Sequence, residues 1–454
     1  MSFARCALLA GCLVLLLAAV APHIERTRRT ASLPVSSLAA KAPRAYTLPP
    51  DKLAKAVALG RIRNILGLAG SLWSLAVLWL LLASRAAAGL EAWTQRAARC
   101  GWLQGLLFFG VFILLLSAAG LPLDIYAHRV SLSYGISVQG WGSWLVDLAK
   151  GLGLSVLIGA PVMLLFNWVV RRSPRRYWLW AWMVSLPLLV LSAFAEPLLE
   201  PIFNQYEPLT EHHPALVAEL EKVVARTGTN IPPSRMFLMK ASAKTNGLNA
   251  YVSGIGATKR IVVWDTTAGR IPDDEILFTF AHESGHYVLN HIPTGLAVTA
   301  FGLLFVFWAC AGVSAWVARH YCARWQLAGR RGGLLAGQED RTAPLSTRAG
   351  FVLLLFVLSV AGFVLEPVSN AISRFFEHEA DVYGQEAIHG LVPDPEKTAV
   401  AEFNHLGEAW LEDPDPSPFI EFWTYDHPSI QTRATFAAHY DPWANGGHGA
   451  FFDQ

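Results

Sequence analysis

Residues 277–289 read LFTFAHESGHYVL, and this short stretch decides the fold that we expect around it. It follows Pro272 to Glu275, a proline and three acidic residues that are typical of a helix start, where negative charge is favoured. In such a helix His282 and His286 lie one turn apart on the same face. The stretch therefore predicts a helix that can offer two imidazoles to one ion.

The segment from His282 to His286 also matches the pattern H-E-x-x-H. A zinc ion lowers the pKa of a bound water toward about 7, so that a nearby carboxylate can take its proton. We therefore predict that His282 and His286 bind zinc and that Glu283 acts as a general base. Two partly exposed helix histidines would be the alternative interpretation, and the acidic start of an amphipathic helix favours the metal site.

A catalytic zinc needs a third protein ligand and an open fourth position. The extended motif with a glycine and a third histidine is excluded, because Leu289 and Ile292 occupy those positions. His291 is expected off the ligand face, as a helix cap or a surface residue. The better candidate is Glu377, which lies on a predicted helix that continues from the last apolar span. Two histidines and one carboxylate without cysteine favour one Zn²⁺ per chain.

Asp381 follows Glu377 by one helical turn and faces the same way. It is predicted to orient a zinc-bound histidine from behind. The neighbouring His378 and Glu379 point elsewhere on a helix, and we expect them on a solvated face.

The composition indicates a membrane protein, mainly α-helical. Hydrophobic residues make up 53% of the 454 residues and charged residues only 15%, against about 25% charged in soluble domains. Seven stretches approach the roughly 20 apolar residues that span a bilayer. These stretches lie near 6–22, 65–84, 102–121, 152–170, 177–195, 293–317 and 350–370. The first could instead be a signal peptide or a lipoprotein cleavage site ending at Cys12, but the apolar run continues to Val20 and favours an uncleaved anchor.

The spans divide the chain into four parts. The first catalytic part should contain a helix from Glu211 to Arg226 and a small β-sheet. Its strands are predicted at 236–239, 249–254 and 260–264. The four parts are an N-terminal membrane domain of about five spans (1–195), a first catalytic part (196–291), two spans joined by a basic loop at 318–349 (292–371), and a second catalytic part (372–454).

Charge and cysteine usage narrow the partners. The net charge of +2 gives no basic surface for nucleic acid. All five cysteines lie in or beside apolar segments, which argues against a disulfide framework or a cysteine-ligated metal. The expected partners are a lipid bilayer and a peptide or membrane-protein substrate, and the sequence does not indicate an oligomeric state.

Over nearly its whole length the chain resembles the type I CAAX prenyl proteases, the multi-span zinc endopeptidases that include the yeast a-factor converting enzyme. Five spans, H-E-x-x-H, two further spans and E-x-x-x-D occur in the same order. Local stretches that carry the resemblance are Glu200–Asn204, Asn249–Tyr251, Lys259–Thr266, Gly285–His291, Ser373–Asp381, and His427–Ser429 with Arg433.

The resemblance implies roles that the residues alone do not. Glu377 matches the third zinc ligand, and His427 with Arg433 matches a pair that stabilises the oxyanion of the tetrahedral intermediate. Asn249-Ala250-Tyr251 matches an edge strand that binds the substrate backbone. Without the resemblance, His427 would be a turn residue before Pro428 and the strand an ordinary one. The implied fold is a ring of seven helices around a chamber, closed on one side by a zincin domain.

Two features of the sequence predict opposite orientations in the membrane. The short even-numbered loops are basic, which places them in the cytoplasm and the catalytic parts outside. Loop one, at 23–64, carries nine Lys and Arg on the catalytic side, and the resemblance places the active site at the cytoplasmic face. We favour a bacterial inner membrane with a cytoplasmic active site.

Three classes of function compete. Proteolysis is favoured, either as CAAX-type processing or as quality control of membrane proteins. A metal-binding transporter would need no base beside the ligands, so Glu283 argues against it. An inactive protease-like scaffold is disfavoured because the whole set of candidate site residues is present.

Overall fold

The computed structural model of the protein describes residues 44–327 and 343–453. Its N-terminal half is built of long helices. They are α1 (Pro50–Ala83), α2 (Ala86–Ala97), α3 (Gly101–Ser133), α4 (Trp141–Leu154), α5 (Ala160–Arg172) and α6 (Tyr177–Phe203). A π-helical turn, Ser155–Gly159, joins α4 and α5 into one continuous helix.

The remainder combines short elements with two further long helices. Its elements are β1 (Tyr206–Pro208), α7 (Leu209–His212), α8 (Pro214–Thr227), β2 (Met236–Met239), β3 (Ala250–Ser253), β4 (Arg260–Trp264), α9 (Asp265–Ala268), α10 (Asp273–Val288), α11 (His291–Trp325), α12 (Arg348–Ala387), α13 (Pro395–Trp410), α14 (Pro418–Thr424) and α15 (Ile430–Ala437). The predicted helix at 211–226 is confirmed as α8, which begins at Pro214 and ends before Gly228 in the left-handed region.

Six helices of the described part are long and apolar enough to cross a membrane, and they coincide with the predicted spans from 65–84 onward. Large apolar side chains on them stay exposed, an arrangement that lipid favours and water opposes. Examples are Trp79, Leu115, Leu157, Leu191, Trp308 and Val364. The multi-pass fold is therefore confirmed. The predicted span at 6–22 and most of loop 318–349 beyond Leu327 lie outside the described residues, so the total of seven spans stays a prediction.

The small sheet has the strand order β1-β2-β4-β3. β2 and β4 are parallel, whereas β1 and β3 each pair antiparallel with their neighbour. The three predicted strands are confirmed. β1 was not predicted, because three residues ending in a proline are too short to show an alternating pattern. β3 lies at the end of the sheet, next to α10.

Close packing of α10 against α12 brings the two catalytic parts together. A Cβ added to Gly384 would lie 2.9 Å from the backbone nitrogen of His282, and one added to Gly285 would lie 3.1 Å from the ring of Tyr383. The two glycines therefore allow an approach that any side chain would prevent.

Helix α12 runs from the membrane into the catalytic part without interruption. Thr347 caps its start by accepting a hydrogen bond from the backbone N–H of Gly350. The helix passes through the predicted span 350–370 and contains Pro367. The expected continuation from the span to Glu377 is thus confirmed. The domain boundaries drawn at 195/196 and 371/372 fall inside α6 and α12, so continuous helices join the membrane part to the catalytic parts.

Candidate active site

The three predicted metal ligands meet between α10 and α12. Nε2 of His282 lies 3.2 Å from Nε2 of His286 and 3.3 Å from a carboxylate oxygen of Glu377. The other oxygen of Glu377 lies 3.5 Å from Nε2 of His286. Within the described residues, this is the one group of His, Cys, Asp and Glu that is compact enough to hold a metal ion.

These separations fit a zinc ion. Zinc–ligand bonds of about 2.0–2.1 Å in a tetrahedron separate neighbouring ligand atoms by about 3.3 Å. The separation of the two Nε2 atoms, 3.2 Å, lies close to that value, and each of these nitrogens has a different oxygen of Glu377 at 3.3 or 3.5 Å. Two imidazole nitrogens and a carboxylate oxygen form one face of such a tetrahedron and leave a fourth position for water or substrate.

Electrostatics at the site also suit a cation. Burial, reinforced by His282, lowers the pKa of His286 to about 3, so its imidazole is neutral and can offer a lone pair. Burial also lowers the pKa of His282, but hydrogen bonding to Asp381 and Glu377 and their charges raise it to about 10. The carboxylates therefore favour positive charge at this point, and a divalent metal would supply it.

Asp381 lies behind His282, as the helical spacing predicts. Its Oδ1 is 2.9 Å from Nδ1 of His282. Arg433, on α15, donates hydrogen bonds to both oxygens of Asp381, at 2.9 and 2.6 Å. The guanidinium also lies 4.6 Å from the ring of Phe403. In this arrangement Arg433 fixes the carboxylate that orients His282.

Glu283 lies beside the ligands and is half-buried. Burial raises its pKa above the ordinary value of a glutamate, and the charge of Glu377 adds to the effect. His282 and a backbone hydrogen bond from Val252 on β3 lower the pKa of Glu283 again. A carboxylate with a raised pKa is a stronger base, which suits the proton transfer predicted for it.

The strand β3 presents one open edge to this site. The backbone N–H of Trp264 donates to the carbonyl of Asn249. Because hydrogen-bonded and non-hydrogen-bonded pairs alternate between antiparallel strands, the backbone N–H and C=O of Tyr251 point toward β4, and those of Ala250 and Val252 point away from it. The carbonyl of Val252 accepts from the hydroxyl of Tyr287 on α10. Ala250 therefore offers the backbone groups at the open edge next to Glu283.

Two residues beside this edge have other partners. Asn249 precedes β3, and its backbone N–H donates to Thr267. The hydroxyl of Tyr251 donates to Glu200, at 2.6 Å. Of the three residues predicted to bind substrate, Tyr251 and Asn249 thus hold the strand in place, and the backbone of Ala250 faces the open edge.

His427 stands at the rim of the metal site, in the loop between α14 and α15. Its Nε2 is 3.3 Å from Glu377, and its side chain is 51% exposed. Burial lowers the pKa of His427, but a hydrogen bond to Asp426 and the charge of Glu377 raise it above the ordinary value of a histidine. The imidazole can therefore carry a proton and donate it toward the site.

His291 is not in the ligand group, as expected, but the surface exposure expected for His291 and Glu379 is wrong. His291 is 3% exposed and Glu379 is fully buried. Nδ1 of His291 lies 3.0 Å from Nδ1 of His286, and Nε2 of His291 lies 3.2 Å from Glu379. The reason is a break between helices: α10 ends at Val288, Asn290 adopts a left-handed conformation (φ 62°), and α11 begins at His291. The helical wheel of α10 therefore does not extend to His291.

Glu379 is buried because α11 begins against the side of α12 that faces away from the metal. The next residue back, His378, is half-buried, with its ring 4.7 Å from the ring of Phe436. The predicted solvated face is thus an internal contact. Sequence reasoning had no indication of it, because a single acidic residue on a helix does not reveal what packs there.

A two-histidine, one-carboxylate site beside a half-buried glutamate, formed between α10 and the membrane-crossing helix α12, is the site of an integral-membrane metallopeptidase. A family profile described as Peptidase family M48 matches residues 211–441, and one described as CAAX prenyl protease N-terminal, five membrane helices, matches residues 34–205. The chain belongs to peptidase family M48.

Individual relatives agree. The chain is 33% identical over 409 residues to the uncharacterized metalloprotease YhfN of Bacillus subtilis, covering 89% of this chain and 90% of the relative. It is 26% identical over 338 residues to CAAX prenyl protease 1 of Saccharomyces cerevisiae, covering 73% and 71%. The crystal structure of S. mikatae Ste24p has the same fold, with a TM-score of 0.70 at 21% identity, covering 94% of this chain and 98% of that chain. The protein is therefore a membrane zinc metalloprotease of the type I CAAX prenyl protease family.

Proposed function

We propose that this protein holds one Zn²⁺ through His282, His286 and Glu377 and hydrolyses peptide bonds with Glu283 as general base. The observation that supports it most is the compact ligand triangle with Glu283 directly beside His282 on α10. A bound zinc would lower the pKa of a water molecule in the fourth position.

The chain's own residues would carry out the proton transfers. Glu283 takes a proton from the attacking water and delivers it to the leaving amine, a role for which its raised pKa is suited. His427 donates a hydrogen bond to the oxyanion that develops on the carbonyl. Arg433 was predicted to share that role. Its hydrogen bonds to Asp381 support a contribution through the orientation of His282, and its direct contact with the oxyanion stays a prediction.

Substrate would enter as an added strand. The N–H and C=O of Ala250 would pair with the substrate backbone at the open edge of β3. Because this edge lies next to Glu283, the pairing would place the scissile carbonyl beside the base and the metal.

We propose membrane-associated proteins and peptides as substrates. Two relatives support a proteolytic role: one is named a metalloprotease and one a CAAX prenyl protease. We infer a bacterial inner membrane, for which a bacterial relative is the support, and a cytoplasmic active site, for which the nine Lys and Arg of residues 23–64 are the support. Either processing of C-terminal segments or removal of damaged membrane proteins is compatible with this site.

Peptide hydrolysis by detergent-purified protein tests the proposal. Glu283→Gln keeps the volume of the side chain and removes the base, so we expect a 10²- to 10⁴-fold loss of kcat with unchanged zinc content. Glu219→Gln is the matched control, since Glu219 lies on the exposed surface of α8 and pairs with Lys222.

Two results would contradict the proposal. If wild type with one zinc bound cleaves neither prenylated nor unmodified peptides, a transporter or an inactive scaffold becomes the better interpretation. If Glu283→Gln retains full activity, the base is another residue. A preference for prenylated over unmodified peptides would favour CAAX-type processing over quality control.

A further inference from the structure

The two metal-binding histidines are supported from behind in different ways. Nδ1 of His282 faces the carboxylate of Asp381 directly, at 2.9 Å. Nδ1 of His286 faces another imidazole, that of His291, at 3.0 Å. The second nitrogen of His291 then lies 3.2 Å from Glu379. Each metal-binding histidine is therefore connected to a carboxylate of α12, His282 directly and His286 through His291.

We propose that His291 and Glu379 are positioning residues, which hold His286 in the tautomer and orientation that bind the metal. His286 needs the lone pair of Nε2 for the metal, so its proton must be on Nδ1. That proton is donated to Nδ1 of His291, which must then carry its own proton on Nε2. The Nε2–H of His291 is donated to Glu379. Only this placement of protons satisfies the metal and both contacts together.

The surroundings keep this arrangement fixed. His291 and Glu379 are buried, so bulk water does not compete for their hydrogen bonds, which are stronger in a low-dielectric interior. The ring of Phe376 stacks on His291, with centroids 4.5 Å apart and planes 12° from parallel. His291 is also the first residue of α11, so its backbone is fixed by a membrane-crossing helix.

Helix α12 supplies the three carboxylates that contact these histidines. Glu377 contacts both metal-binding histidines, while Asp381 and Glu379 support one histidine each. Along a helix of 3.6 residues per turn, Glu379 points about 200° away from Glu377. It reaches the metal site only because His291 bridges the distance to His286.

This inference rests on the proposed zinc site and is tested by metal affinity. Zinc binding to the purified full-length protein is measured by competition with a chelator. His291→Leu removes the acceptor for His286 at similar volume, and we expect a 10- to 100-fold weaker zinc affinity. His291→Asn restores an acceptor at the place of Nδ1 and should recover most of the affinity.

A second pair of variants separates positioning from general stability. Glu379→Gln removes the charge behind His291, and we expect about tenfold weaker zinc binding. Glu275→Gln is the matched control, because Glu275 lies on α10 with the two metal-binding histidines, is also buried, and contacts a histidine, His405, at 2.6 Å. The control should lower the thermal stability of the metal-free protein without weakening zinc binding.

The outcomes are distinguishable. Wild-type affinity in His291→Leu overturns the inference. If that variant does not fold, equal zinc affinities of Glu379→Gln and Glu275→Gln overturn it instead. Failure of the wild type to bind zinc would overturn the proposed function itself, whereas a zinc-binding wild type with unaffected variants would remove only the roles of His291 and Glu379.

Discussion

Arg433 donates two hydrogen bonds to the two carboxylate oxygens of Asp381, from Nε at 2.9 Å and from Nη2 at 2.6 Å. This ion pair lies in the interior, and one of the same oxygens of Asp381 lies 2.9 Å from Nδ1 of His282. Removing one partner of a buried ion pair leaves an uncompensated charge, which costs about 3 to 5 kcal/mol. Folding and metal binding therefore depend on the same carboxylate.

Asp381→Asn should weaken both zinc binding and the stability of the fold. We expect a 10- to 100-fold loss of zinc affinity, because His282 loses its charged acceptor, and a lower unfolding temperature, because Arg433 loses its partner. Chelator competition and thermal unfolding measure the two effects. The control is Asp415→Asn, which breaks an exposed pair with Arg44 that should contribute less than about 1 kcal/mol. Unchanged zinc affinity in Asp381→Asn would contradict the role assigned to this residue.

His427→Ala should affect turnover and leave metal binding intact. Loss of one donor to an oxyanion lowers kcat by about 10²- to 10³-fold. Steady-state kinetics on a peptide substrate, with zinc content measured in parallel, test this. His212→Ala removes a histidine that pairs with Glu207 on the surface and should leave kcat unchanged. If zinc is lost in proportion to activity, His427 supports metal binding and does not stabilise the oxyanion.

Ala250→Pro removes the backbone N–H that faces the open edge of β3. Proline is tolerated on an edge strand where the missing N–H points outward, so the pairing with β4 should survive. One lost hydrogen bond of about 1 to 1.5 kcal/mol corresponds to an about 5- to 13-fold lower kcat/KM. Zinc content and the unfolding temperature of the variant serve as controls. An unaltered kcat/KM would mean that substrate does not pair with this edge.

Glu402 on α13 gives the protein a pH-dependent stability. Burial raises its pKa to about 7, although the charge of Arg433 lowers it. Because a glutamate in the unfolded chain titrates near about 4.3, the folded state favours the protonated form. The stability that this protonation contributes is full below a pH of about 4.3 and is lost as the pH rises through about 7.

Glu402→Gln should therefore gain stability relative to wild type as the pH increases from about 5 to about 8. Gln keeps an acceptor for the hydroxyl of Thr279, which donates to Glu402 at 3.0 Å. Unfolding temperatures of both proteins across this pH range provide the measurement, with Glu219→Gln as the surface control. Parallel curves for wild type and Glu402→Gln would show that Glu402 is ionised in the folded state at all these pH values.

Much of this site could be predicted from sequence because its elements follow helical periodicity. His282 and His286 lie one turn apart, as do Glu377 and Asp381, and both pairs form on uninterrupted helices. The apolar spans and three of the strands were likewise readable from composition and alternation. The resemblance supplied what periodicity could not, namely that His427 approaches the site from a distant loop.

The residues that were missed depend on contacts between elements. His291 reaches His286 because the chain turns at Asn290, and no pattern of apolar residues marks that break. Glu402 lies within reach of Arg433's charge only after α13 packs against α10 and α15. Such contacts depend on how distant elements pack against each other, which cannot be predicted from the local pattern of one sequence.

The uninterrupted course of α12 relates the metal site to the end of a predicted membrane span. Glu377 follows the end of the predicted span 350–370 by seven positions, which correspond to about 10 Å of helix. Because α12 continues from the span to Glu377, we expect the cleavage site to lie at a defined distance from the membrane surface. We expect bonds near the membrane surface to be within reach and bonds farther away to be spared, so that selection among substrates can depend on distance as well as on side chains.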